Sequence, residues 1–287
     1  MPIPDFLEGA ADLHVHSSPD VDPRRFDDIE LAREAVRAGM SALLIKSHQN
    51  STVERASLVS KIVPEIQVFG GLVLNETVGG LNPAAVRLAL RMGAKEIWMP
   101  TRSARNHRKA CGESDEGIQI LDTAGQVLPV IDVILDLIAE TDCILGTGHL
   151  SPRESVALIC RARERGLRRI LVTHPEWVGT YFPIELQREL AAGGAVSFER
   201  CFVSTTHRCG FTPMKTIADA ISEVGIGTTI LSTDLGQPDT PTPVDGMLRY
   251  AEQLRGFGFS VDQLRRMAVT NPLGFLDASL PRKVAAD

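Results

Sequence analysis

Two histidines one residue apart close an apolar run near the start of the chain. In ADLHVH, Asp12, His14 and His16 alternate with Leu13 and Val15. Side chains at i and i+2 of a strand point to one face, so all three polar groups line up on one side. Other apolar runs end in residues of the same chemical kind: Lys46-Ser47-His48, His149, His174, Glu199 and Asp234. Each is weak alone. A His-x-His is frequent by chance, and Glu199 and Asp234 read equally as acids at helix starts. Together they carry more, because five of the seven histidines stand at such ends. Imidazole nitrogens and carboxylate oxygens suit Zn, Mn, Fe or Co better than Ca or Mg. The expectation is one or two divalent transition metals, zinc or manganese foremost, held by a selection of His14, His16, His48, His149, His174, Glu199 and Asp234. Such a metal brings the pKa of a water down to roughly 7, and Asp234 would orient or deprotonate that water.

These residues can meet only if the chain gathers its strand ends in one place. Short apolar runs alternate with amphipathic segments along the sequence. FDDIELAREAVRAG, with acids in its first turn and Gly39 as a stop, predicts a helix. STVERASLVSKIV predicts one opened by a Ser51–Glu54 capping pattern, and NPAAVRLALRMGA one begun by Pro83. GIQILDTAGQVLPV reads as a small hairpin inserted after the fourth strand, and SVDQLRRMAVTNPLGFL as a closing helix. Eight strand–helix units predict a single α/β domain over residues 1–287, a (β/α)8 TIM-type barrel, somewhat distorted. The alternative is an open doubly wound sheet. In a barrel the C-terminal ends of all strands share one mouth.

Composition sets outer bounds. The 287 residues are 44% hydrophobic and 23% charged, ordinary for a globular protein. A net charge of −6 argues against nucleic acid or an anionic membrane as the main partner. The five cysteines are scattered and form no CxxC pair, and MPIPDFLEGAADL lacks the pattern of a signal peptide. A reduced, cytoplasmic protein acting on a small molecule is expected, with a homo-oligomer left open.

DLHVH after the first strand, histidines after strands 5 and 6, STD after strand 8 and the closing MAVTNPLGFLDA resemble the amidohydrolase superfamily of metal-dependent barrel hydrolases over about residues 10–278. The resemblance implies that His14 and His16 bind the more buried metal. It implies that His149 and His174 bind the second metal, or one metal and the substrate, and that Asp234 is ligand and general base. Many binuclear members carry a carboxylated lysine at the end of strand 4. Here that strand reads EIWMPT, with Lys95 at its other end. The site is then mononuclear, or Lys46 or Glu199 substitutes; an unmodified Lys46 would be a cation facing the metals or an anionic substrate. SALLIKSH also resembles the corresponding strand of PHP-type phosphoesterases, with His48 matching that family's histidine and Glu76 loosely its bridging glutamate.

The loop TRSARNHRKACGESDEG is long and basic at first, and long loops at a barrel mouth are commonly functional. Arg102, Arg105, Asn106 and His107 are candidates to hold a carboxylate or phosphate, against a plainly solvated loop. Trp177, Tyr181 and Phe182 cluster beside His174 and suggest a pocket wall, although Phe182 reads equally as core. Cys201, His207 and Cys209 match no justified zinc spacing and read as an ordinary loop. The expected function is metal-dependent hydrolysis of a C–N or C–O bond (amide, cyclic amide or lactone) in a small anionic molecule, with Asp234 and Lys46 catalytic. The alternatives are a phosphoesterase on the same metal cluster, a metal-assisted decarboxylase, or a barrel that binds without turnover.

Overall fold

The computed structural model describes residues 6–278. Eight parallel strands follow one another in chain order: β1 Ala11–Val15, β2 Ala42–Ile45, β3 Gln67–Val73, β4 Glu96–Trp98, β5 Ile144–Gly146, β6 Ile170–Thr173, β7 Val196–Cys201 and β8 Thr229–Ser232. The sheet closes on itself beyond the regular ladder. The Asp234 N–H donates to the His14 carbonyl at 2.7 Å, and the His16 N–H donates to the Leu235 carbonyl at 2.8 Å. The fold is the expected (β/α)8 barrel, and the seam runs through the candidate site residues themselves.

Helices cover the outside: α1 Asp28–Arg37, α2 Val53–Ile62, α3 Pro83–Arg91, α4 Arg105–Ala110, α5 Pro129–Ala139, α6 Pro152–Glu164, α7 Ile184–Ala192, α8 Met214–Val224, α9 Pro243–Gly256, α10 Val261–Arg265 and α11 Asn271–Leu276. Their starts follow local chemistry. Asp27 and Glu30 form a reciprocal capping box on α1, as do Ser151 and Glu154 on α6. α2 departs from expectation, because its cap position is Thr52 rather than Ser51. Ser51 still bonds Glu54 at 2.6 Å. The Thr52 hydroxyl, however, is fully buried and spent on the sheet, donating to the Ile45 carbonyl at 2.7 Å and accepting from the Gly71 N–H at 2.9 Å. The expected hairpin after β4 is present, with Leu121 bridged antiparallel to Val127. The expected closing helix is present and runs without a break through α10 and α11, with a π turn over Arg266–Thr270 between them, just ahead of Pro272, which has no N–H to continue an α-helical ladder.

Among the described residues, no helix is long and apolar enough to cross a membrane. The barrel is apolar toward the helices, with Leu13, Val15, Leu43 and Ile45 buried. Inside it is partly polar, with Asp12, His14, Lys46, Glu96 and Glu199 also buried. Asp12 ties β1 to β8: its carboxylate accepts from the His14 N–H at 3.1 Å, the Thr233 N–H at 3.0 Å and the Thr233 hydroxyl at 2.5 Å.

The seam leaves no room at Gly236. Its φ is +138°, and a β-carbon there would collide with the His16 carbonyl. Gly236→Ala is therefore expected to lower stability by about 2 kcal/mol or more in urea denaturation, whereas Gly258→Ala, which meets nothing within 4 Å, pays only for its φ of +95°.

Candidate metal centre

Three imidazoles from two sides of the barrel converge on one carboxylate. An oxygen of Asp234 lies 2.8 Å from His16 Nε2 and 3.1 Å from His14 Nε2, and its other oxygen lies 3.3 Å from His174 Nε2. Strand alternation places His14 and His16 on the inner face of β1, as their spacing predicts. His174 and Asp234 sit just past β6 and β8 in left-handed backbone, with φ of 52° and 53°. That conformation costs roughly 1–2 kcal/mol in a residue with a β-carbon, and here it turns both side chains toward each other.

His14 is held from behind. Its Nδ1 is 3.1 Å from Glu199 Oε2, while its Nε2 is 3.0 Å from Lys46 Nζ. Glu199 thus engages the far nitrogen of a candidate ligand, the arrangement in which a carboxylate fixes the tautomer and orientation of a metal-binding imidazole. Cys201, two residues on and in the same phase of β7, brings its Sγ within 3.8 Å of His14 Nδ1. Lys46 Nζ lies over the Trp98 ring at 5.1 Å.

His48 and His149 complete a ring of histidines. The His48 ring stacks on His16 at 5.0 Å, and its Nδ1 is 2.9 Å from the Thr101 hydroxyl. His149 Nδ1 is 2.8 Å from His107 Nδ1, and Trp177 packs 5.2 Å from the His149 ring and 5.5 Å from the His107 ring. The rest of the basic loop is placed differently. Arg102 extends to Asp22 at 2.6 Å. Arg105 is engaged with Asp115 at 2.6 Å and Gln119 at 2.9 Å on the exposed side of the loop. Asn106 clamps backbone, donating to the carbonyls of His149 and Gly179. Phe182 is core, whereas Tyr181 is exposed. Glu76 pairs with Arg108 at 2.8 Å and is half-exposed. The inward residue there is Asn75, which holds the His48 carbonyl and Thr101. Lys95 lies before β4, over Phe69. His207 pairs with Asp239 at 2.9 Å on the surface, and Cys209 is half-buried.

Burial decides most protonation states. It pushes the His16 imidazole down to about 3, and it holds His48, His149 and His174 below the usual range, the last despite contact with Asp234. Neutral imidazoles are what a metal requires. His14 alone is raised, since the Asp234 and Glu199 carboxylates outweigh its burial. Burial would raise Asp234, but contact with His14, His16 and His174 keeps it well below the carboxylate range, so it is an anion at neutral pH. Glu96, deep in the barrel and close to Glu199, is pushed well up by burial and by its neighbour's charge; neither of its oxygens has a hydrogen-bond partner. Burial also lowers Lys46.

A divalent metal fits this chemistry. His14, His16 and Asp234 present ligand atoms within 4.8 Å of one another, and so do His14, His174 and Cys201. The Nε2 atom of His149 and one oxygen of Glu199 are buried without partners, a costly state for polar atoms unless something completes them.

Sequence patterning missed the support around this cluster. Cys201 shares the phase of Glu199, which was the available signal. Arg200 between them faces the opposite way, into the helix layer, where its guanidinium meets Glu176, two residues past His174. Nothing local marks that pair, since its partners are 24 residues apart. Both are buried, so Glu176→Gln would leave an uncompensated guanidinium and is expected to cost about 3 kcal/mol or more in chemical denaturation.

A family model described as "Family of unknown function (DUF6282)" matches residues 9–197. No curated protein matches the sequence. Among solved structures, an amidohydrolase from Pseudomonas aeruginosa aligns with a TM-score of 0.63 at 11% identity, covering 95% of this chain and 98% of that one. The phosphotriesterase homology protein from Escherichia coli, complexed with phosphate in its active site, aligns with a TM-score of 0.59 at 13% identity, over 94% and 99% of the two chains. A 2,6-dihydroxybenzoate decarboxylase complexed with 2,6-dihydroxybenzoate aligns with a TM-score of 0.57 at 12% identity, again over 94% and 99%. At these identities the likeness is one of fold, and a fold hosts many chemistries.

Proposed function

The chain belongs to the DUF6282 family, a family of unknown function, and from its barrel mouth we propose that it is a metal-dependent hydrolase of the amidohydrolase type. The observation that carries this reading is the convergence of His14, His16 and His174 on Asp234, with Glu199 behind His14. His14, His16, His174 and Asp234 would hold a divalent transition metal, zinc or manganese by its nitrogen and oxygen donors, with His149 and His48 at hand for a second. Bound there, the metal would acidify water and polarise a carbonyl.

The chain's own groups supply the rest. Asp234 is ionised and takes a proton at a carboxylate oxygen, then returns it to the leaving group of an amide, cyclic amide or lactone. Lys46 places a positive charge beside His14 and Asp234, where negative charge develops on the substrate. Trp177, packed on His107 and His149, walls the site and excludes water from one side. The half-exposed position of Glu76 weighs against the phosphoesterase alternative, whose bridging glutamate belongs inside. All five cysteines are free, which suits a reducing, cytoplasmic setting.

Metal analysis of the protein purified without a metal-affinity tag tests the reading. About one to two equivalents of a transition metal are expected, and the His14→Ala/His16→Ala double variant should lose them. Once an amide or lactone substrate is found by screening, Asp234→Asn should lower turnover by about 10²–10⁴-fold. A protein that takes up neither zinc nor manganese on incubation removes the proposal.

A further inference from the structure

Beside the His–Asp cluster lies a cleft of about 250 Å³, lined by Asp22, Arg24, Arg102, Arg208, Gln237 and Asp239. That is below the roughly 300 Å³ at which drug-sized pockets begin, so it suits one functional group or a small molecule. The cleft adjoins the centre. Gln237 donates to the Asp234 carbonyl at 3.1 Å, and the N–H of Arg25, next to Arg24, donates to the Gly236 carbonyl at 2.8 Å.

Its walls already display the chemistry they bind. Arg24 is almost wholly buried and fixed by the equally buried Asp20, at 3.0 Å. Arg102 is half-exposed and reaches the Asp22 carboxylate at 2.6 Å. The same Asp22 oxygen lies 3.5 Å from Arg24, and the Asp22 side chain is 35% exposed. Asp22 is therefore a carboxylate resting between two guanidinium groups, on a surface loop and open to solvent on one side. Arg208 on the opposite wall is likewise paired, with Asp239.

We propose that Arg24 and Arg102 form a receptor for a carboxylate of the substrate, and that Asp22 occupies the receptor until the substrate displaces it. This rests on the hydrolase reading and extends it to the substrate class: a carbonyl compound bearing a carboxylate a short distance from the scissile bond. Charge selects carboxylate over phosphate. With Asp22 displaced, Arg24 and Arg102 face only Asp20, which leaves one positive charge, matched by a monoanion rather than a dianion. Guanidinium forks suit a planar carboxylate in geometry as well. Sequence reading pointed to Arg102, whereas Arg24, in the loop after β1, carried no signal of its own.

Titration of the metal-stripped protein with propionate, a monocarboxylate, and separately with inorganic phosphate, at constant ionic strength tests the receptor apart from any metal. Propionate should saturate the wild type. Asp22→Ala should tighten propionate binding by about tenfold, Arg102→Gln should weaken it by a similar factor, and Arg105→Gln should leave it unchanged. Unchanged propionate affinity in both Asp22→Ala and Arg102→Gln, or no saturable binding in any of these proteins, overturns the proposal. Phosphate binding more tightly than propionate, with the same response to the variants, overturns the carboxylate assignment. Because no metal is present in the titration, its failure leaves the metal test untouched, and the reverse holds as well.

Discussion

The Asp234 carboxylate is the constraint around which the mouth of the barrel is organised. Burying an anion costs several kcal/mol unless compensating groups surround it, and three imidazole nitrogens within 3.3 Å do so here. The same residue closes the sheet, because its backbone N–H donates to the His14 carbonyl at 2.7 Å. Barrel closure and site assembly are thus one event. A change that opens the β1–β8 seam also separates the imidazoles from the carboxylate.

Around Asp234 the interior mixes buried ionisable groups with apolar ones such as Trp98. Lys46 and Glu199 bracket His14 at 3.0 and 3.1 Å, and Glu96 is buried near them, its carboxyl pushed well up by burial. Such an interior sacrifices stability that apolar side chains would have supplied. The compensation lies outside the strands, in two large apolar clusters between sheet and helices. Left-handed backbone at His174 and Asp234 adds strain at the same place, a common trait of functional residues.

Much of this was legible in the sequence, and the reasons are physical. Strand ends were readable because period-two alternation and helix caps are local, and His14, His16, His174 and Asp234 fall at such ends. The barrel followed from counting units. What escaped was whatever depends on partners distant in the chain. Arg105 and Asn106 share the short helix α4 with His107, yet their hydrogen bonds go to Asp115 and to backbone carbonyls. Whether Glu199 faces the centre or the back of His14 is a matter of ring orientation that no spacing encodes. The buried Arg200–Glu176 pair and the Arg24–Asp20 pair were equally invisible, because one partner alone reads as a surface charge.

The seam also carries a consequence for biosynthesis. β1 is made first and its final neighbour last, with the segment through Asp234 following some 220 residues after Asp12. Until that segment leaves the ribosome, the edge of β1 has an unpaired row of amides and carbonyls, and its histidines face no carboxylate from the last strand. An unpaired strand edge is a template for wrong partners. The nascent chain therefore passes through a long interval in which its most hazardous surface is also its future centre, and only completion of the last strand covers both.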